Sequence, residues 1–198
     1  MAQYLLFATE RYALPILAPL AQALQARGHA VSAWFEGGAR GLVLPEVREV
    51  GLREALALRP RAVFSAANWV PPFIAGTKVQ LFHGFNVQKR EDNRGHFRVR
   101  GLFDLYCTQG PATTAPFRAL AEREGHFAVV ETGWPKLDPV FRDDGGRSAA
   151  LRAPANGRPV ILFGSTFTER LSAAPALYDE IAADIARGTH YWLLTLHP

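Results

Sequence analysis

The chain has 198 residues, with 22 Lys+Arg against 18 Asp+Glu for a formal charge of +4, and apolar residues make up 48% of it. This is ample for a buried core without metal or disulfide staples, and it excludes a disordered tail, a collagen-like chain and a coiled coil. A single cysteine, Cys107, excludes an internal disulfide and argues against a cysteine-based zinc site.

Short β-type runs alternate with helical stretches along the chain. Gln3 to Ala8 reads as a strand, and Leu14 to Arg27 as a helix from its apolar spacing, closed by Gly28. A strand over Ala30 to Phe35, a helix over Leu52 to Leu58 and strands over Ala62 to Ser65, Val79 to Phe82 and Phe103 to Cys107 follow. Pro111 to Glu124 reads as a helix with proline in its first turn, and Phe127 to Val130 as a strand. The turn-rich stretch from Arg142 to Pro159 interrupts this order and reads as a linker, with a long surface loop as the alternative. A strand over Val160 to Phe163, a helix over Ala174 to Ala186 and a strand over Tyr191 to Leu196 then restart it. The expected fold is α/β. A Rossmann-like parallel-sheet domain spans 1–141, a linker 142–158, and the first βαβ unit of a second Rossmann-like domain 159–198. No basic leader precedes the first strand, and the longest apolar stretch, Tyr12 to Ala26, carries two prolines and two glutamines. That is short of the ~20 apolar residues a spanning helix needs. A cytoplasmic location is expected, and peripheral attachment to the inner face of the cell membrane is compatible with it.

The turn after the first strand, Thr9-Glu10-Arg11-Tyr12, has no glycine, which argues against a dinucleotide pyrophosphate site, and no P-loop sequence occurs. No cofactor and no metal is called for by any spacing. In open α/β sheets ligands bind beyond the carboxyl ends of strands. Four groups fall there. His83-Gly84 ends a strand, where histidine suits a general base and glycine admits a close backbone approach; a capping or core histidine is an equal alternative. Thr132 to Asp138 holds Gly133, Lys136 and Asp138 in a turn, and Lys136 and Asp138 are placed to meet a ligand or each other. Ser165-Thr166 offers hydroxyls and backbone N–H groups, as a phosphate cradle or an N-cap. His197 closes the series. The basic residues Lys78, Lys89, Arg90, Arg94, Arg98 and Arg100 face only Glu91 and Asp92, so this segment carries the chain's charge surplus. It suits a phosphorylated substrate or an anionic membrane surface, or is a solvated loop. Thin aromatic interleaving argues against nucleic acid. His29, His96, His126 and His190 are assigned structural or surface places, and Cys107 a buried, inert one.

These four elements in this order resemble the CDP-glycerol glycerophosphotransferase family, of the teichoic-acid polymerase type. The shared marks are His83-Gly84 with a nearby lysine, Gly133-x-Pro135-Lys136-x-Asp138, Ser165-Thr166-Phe167 and His197-Pro198. Where the family commonly shows His-Gly-Thr-Pro-x-Lys, this chain has Phe85-Asn86 and sets Lys89 one residue further on. The resemblance implies a GT-B-like pair of Rossmann-like domains, truncated in the second, so that the 198 residues alone are expected to be inactive. It implies transfer of glycerol phosphate from CDP-glycerol, or a related CDP-alcohol, to a hydroxyl acceptor that can be lipid-linked, with release of CMP. His83 would be the base, and Gly84, Lys89, Gly133, Lys136, Asp138, Ser165, Thr166 and His197 the substrate-binding set. Two other readings stand beside it: a nucleotide-sugar glycosyltransferase or 2-epimerase of the same architecture, and a non-catalytic module.

Overall fold

The computed structural model of the chain describes residues 1–84, 96–142, 145–166 and 169–196. They form two compact units, Met1–Phe141 and Arg142–Pro198.

The first unit is built on seven parallel strands in the order β3-β2-β1-β4-β5-β6-β7. Their ranges are β1 Gln3–Ala8, β2 Ala30–Phe35, β3 Arg48–Glu49, β4 Ala62–Ser65, β5 Thr77–Gln80, β6 Leu105–Thr108 and β7 Ala128–Glu131. Helices α1 (Leu14–Ala26), α2 (Leu52–Leu58) and α3 (Pro111–Glu124) complete the unit. The central strand β1 is apolar on both faces, as a parallel sheet covered on both sides requires. Leu6 and Ala8 pack with Ile16 and Leu17 of α1, while Leu5 and Phe7 belong to a second cluster with Tyr106 and with Phe117 of α3. The α/β, Rossmann-like class expected from the sequence is what the sheet shows.

Element ends depart from expectation where packing, rather than pairing, makes a residue apolar. The fifth strand runs over Thr77–Gln80 instead of Val79 to Phe82. Leu81 and Phe82 lie past the ladder and bury in opposite core clusters, Leu81 with α1 and Phe82 with the Tyr106–Phe117 side. Phe103 is likewise buried before β6 begins at Leu105. No helix joins β4 to β5; the chain returns through a loop that closes at Gly76. There φ is +89°, and a Cβ would lie 2.1 Å from the Pro60 carbonyl oxygen, so only glycine fits.

The second unit holds β8 (Val160–Gly164) and β9 (Tyr191–Thr195) as a separate parallel pair, with α5 (Ala174–Arg187) between them in sequence. The turn-rich segment before β8, within the same unit, carries a short helix, α4 (Arg147–Arg152), that its glycines and prolines obscure in the sequence. Asp184 of α5 accepts hydrogen bonds from Trp192 Nε1 at 2.7 Å and His190 Nδ1 at 2.9 Å, pinning helix to strand. Among the described residues no helix is long and apolar enough to cross a membrane.

Candidate functional site

Strand order reverses between β1 and β4, and the crevice beyond the carboxyl ends at such a switch point is where open α/β sheets take ligands. His83 stands there. Its Nδ1 lies 2.8 Å from the carbonyl oxygen of Ala66, in the loop after β4. A carbonyl only accepts, so Nδ1 carries the proton and, in the neutral ring, Nε2 carries the lone pair. The imidazole packs against Tyr12, from the segment after β1, with ring centroids 4.6 Å apart. His83 therefore bridges the two strands that flank the reversal. It is exposed as a residue, yet the crowding walls lower its pKa from 6.5, and the Arg100 charge adds to this while the Ala66 bond opposes it. The ring is thus held neutral at and somewhat below neutral pH.

The backbone that delivers His83 is strained. Phe82 has φ +57°, the left-handed region that a bulky aromatic rarely adopts. Its N–H donates to Gln80 Oε1 at 2.8 Å, its carbonyl accepts from Trp134 Nε1 at 3.3 Å, and its ring packs 4.9 Å from that of Phe117. Gly84 follows, with its carbonyl accepting from Gln109 Nε2 at 3.0 Å, and a Cβ there would meet nothing within 4 Å.

The β7 end joins this edge through Trp134. Gly133 has φ +76°, which the turn into a 3-10 segment at Pro135–Phe141 demands. Trp134 is buried, and the Lys136 ammonium lies 5.1 Å from its ring centroid, so one indole separates Lys136 from the backbone that precedes His83. Lys136 and Asp138 are both exposed and make no ion pair with each other. Asp138 is not tied to the His83 group.

Ser165 and Thr166 belong to the second unit, just past β8. The Ser165 hydroxyl lies 2.6 Å from that of Ser172, whose oxygen in turn accepts from the Ala174 N–H that opens α5. Ser165 thus reaches the helix start through Ser172 and does not cap it directly. Lys89 and His197, with Phe85, Asn86, Phe167 and Pro198, lie outside the described residues.

Arg100 corrects the reading of Lys78 to Arg100 as a basic surface. It is buried, donating to Asn68 Oδ1 at 2.8 Å and the His96 carbonyl at 2.7 Å, with its guanidinium 5.0 Å from the Phe82 ring centroid. Burial lowers its pKa to about 10. His96 is buried beside it, and burial plus the Arg100 charge lower its pKa to about 4. Cys107 is half-buried and its thiol is pushed up to about 11, in keeping with an inert place. Among the described residues no three His, Cys, Asp or Glu side chains cluster as metal ligands.

His83 and Lys136 are sequence candidates because both follow strands. Tyr12, Gln80 and Gln109, which contact the segment around His83, are not among those candidates, and Arg100 is there only as part of the basic run. A glutamine in an otherwise buried strand was the one available sign for Gln80.

No family model matches the chain, and no curated protein matches it. Solved structures do. The wall teichoic acid polymerase TagF, in a histidine-to-asparagine variant soaked with CDPG, superposes with a TM-score of 0.64 at 16% identity, over 99% of this chain and 56% of its own. The S. aureus MnaA–UDP co-structure gives a TM-score of 0.64 at 11% identity, over 100% of this chain and 62% of its own. The chain shares a Rossmann-like, GT-B-like fold with these proteins. It spans somewhat over half the length of each, and at these identities the likeness is one of fold.

Proposed function

We propose that this chain carries the hydroxyl-activating side of a nucleotide-dependent transferase that moves glycerol phosphate from CDP-glycerol, or a related CDP-alcohol, to a hydroxyl acceptor. The observation that carries the reading is His83 at the switch point, its Nδ1 proton committed to Ala66 and its Nε2 left to accept a proton. The fold likeness to TagF soaked with CDPG supports the choice of donor. In the reaction, His83 Nε2 takes the proton of the acceptor hydroxyl as its oxygen attacks the β-phosphorus. The bond from that phosphorus to the bridging oxygen breaks, CMP leaves with the electron pair, and the imidazolium later releases its proton to water. Negative charge on the phosphoryl oxygens needs cations and N–H groups. Lys136 is the candidate at the β7 end, and the sequence resemblance adds Gly84, Lys89, Gly133, Asp138, Ser165, Thr166 and His197 as residues meeting the two substrates. A polymer of the cell envelope, and an acceptor at the inner face of a membrane, fit this chemistry.

General-base help is worth roughly 10²–10⁴-fold. His83→Ala in the intact protein is expected to lose that much CMP release from CDP-glycerol while keeping its circular dichroism spectrum. Near-normal CMP release by the folded variant would overturn the assignment. The equal TM-score to the UDP-bound MnaA favours, as a second reading, a nucleotide-sugar glycosyltransferase or 2-epimerase. His83-dependent turnover of a UDP-sugar, with none of CDP-glycerol, selects it. Binding of CDP-glycerol or of anionic vesicles without turnover selects a non-catalytic module.

A further inference from the structure

Gln80, the last residue of β5, is fully buried, and both ends of its amide are engaged. Nε2 donates to the Ala67 carbonyl at 2.7 Å, and Oε1 accepts from the Phe82 N–H at 2.8 Å. Those two backbone groups flank the contact that orients the imidazole: Ala67 follows Ala66, the acceptor of the Nδ1 proton, and Phe82 precedes His83. A buried amide group left unpaired loses its solvation without return, so this position tolerates glutamine only with both partners in place. The left-handed Phe82 is a second, independent sign, since strain of this kind persists where surrounding contacts over-determine it and clusters at functional sites. The loop after β4 is held elsewhere too, by the Ser65 hydroxyl accepting from the Ala67 N–H at 3.2 Å and by Arg100 on Asn68. Gln80 ties this loop to the backbone immediately before His83 through one rigid group.

We propose that Gln80 is a positioning residue for His83. Its amide locks the loop after β4 to the loop after β5 and presets the imidazole with Nδ1 protonated and Nε2 free. This rests on His83 acting as the base, as proposed above, for its meaning in catalysis; the clamp itself is a claim about the imidazole. Among the described residues the groups that face the ring or shift its titration are the Tyr12 phenol, the Ala66 carbonyl, His96 and Arg100, and a change at Gln80 deletes none of them.

Side-chain ¹⁵N NMR of the histidines in wild type, Gln80→Met and Gln80→Glu tests it. Methionine keeps the length and loses both hydrogen bonds; glutamate keeps the shape and the acceptor and, ionised, loses the donor. In wild type His83 is expected as the Nδ1–H tautomer, with a midpoint below 6.5. In Gln80→Met that tautomer should lose its dominance, and the midpoint should fall further, because the weakened Ala66 bond is the contact that raises it; in Gln80→Glu the tautomer should lose dominance to a smaller extent. In the intact protein kcat should fall about tenfold or more with KM within about twofold, as expected when a reacting group is misplaced. Folded variants that both keep the wild-type tautomer overturn the proposal. Should Gln80→Met fail to fold, Gln80→Glu decides. Rapid exchange of the Phe82 amide in wild type would also overturn it, because the clamp requires that N–H to be protected. If His83→Ala retains turnover while the Gln80 variants still shift the imidazole, the base assignment fails and the clamp stands.

Discussion

The ends of β5 and β7, with β6 between them, are built on opposite plans. At the β5 end His83 is held from several directions: by Ala66, by the Tyr12 ring and by a strained Phe82 that Gln80 and Trp134 fix in place. At the β7 end only Trp134 is buried, and Lys136 and Asp138 stand in solvent. The difference is chemical. A general base works within hydrogen-bond reach of one proton, so it must be oriented before the substrate arrives. A cation that meets a phosphate needs reach and charge more than a fixed angle, and Lys136 has both.

The sharpest way to break the comparison is to remove what joins the two ends. Trp134→Ala empties a buried indole site and is expected to cost about 3–5 kcal/mol in urea unfolding. Trp134→Phe keeps most of the packing and loses the N–H bond to the Phe82 carbonyl, so about 1 kcal/mol is expected. Equal, small losses in both variants would mean that the indole is a surface cover and that the two ends are independent.

A second test reaches the wall behind His83. His96 is buried among Phe82, Phe97 and Phe117 with Arg100 beside it, and its Nε2 has no partner among the described residues. Its pKa in the fold is about 4 against 6.5 ordinarily. Above 6.5 the ring is neutral in both the folded and unfolded states and contributes no slope. Between 6.5 and about 4 the unfolded chain takes up a proton that the folded one refuses, so stability falls as pH drops through that window. The limiting slope is about 1.4 kcal/mol per pH unit, giving a loss on the order of 3 kcal/mol by the low end. Unfolding curves between pH 7 and 4 should show this loss, and His96→Gln should flatten it. A wild-type profile as flat as that of the variant would show the ring to be hydrated.

These residues also mark what the sequence could show. β1, β2, α2, β4 and α3 are local patterns, and their observed ranges are those the apolar spacing predicts. His83 and Lys136 were visible because each follows a strand, whatever the strand order. Tyr12 and Ala66 were not, because their nearness to His83 depends on β1, β4 and β5 being neighbours, which is a property of the sheet. Arg100 was misread for a related reason. A run of basic residues looks like a surface, but Arg100 is taken inward by Asn68 and by two aromatic rings. Leu81 and Phe82 extended the expected fifth strand because burial in two cores mimics a ladder in the hydrophobic pattern.

The smallest expected structural effect belongs to Lys136, and it is the one that separates the two plans. Its contact with the Trp134 ring is worth about 0.5–1 kcal/mol at an exposed site, so Lys136→Met should unfold at nearly the wild-type urea concentration. On the proposed function the same change removes a cation that neutralises phosphoryl charge, and kcat/KM for the donor should drop at least about tenfold, the equivalent of one charge-assisted hydrogen bond. Lys136→Arg keeps the charge and should recover part of that loss. Asp138→Asn tests the other proposed substrate contact on the same turn, exposed like Lys136 and without an ion pair to it. If Lys136→Met and Asp138→Asn cost activity without stability, the β7 end is a ligand-facing surface. If both leave the donor's kcat/KM unchanged, the chemistry of this edge rests with the β5 end, and Lys136 is no more than a cover over the Trp134 ring.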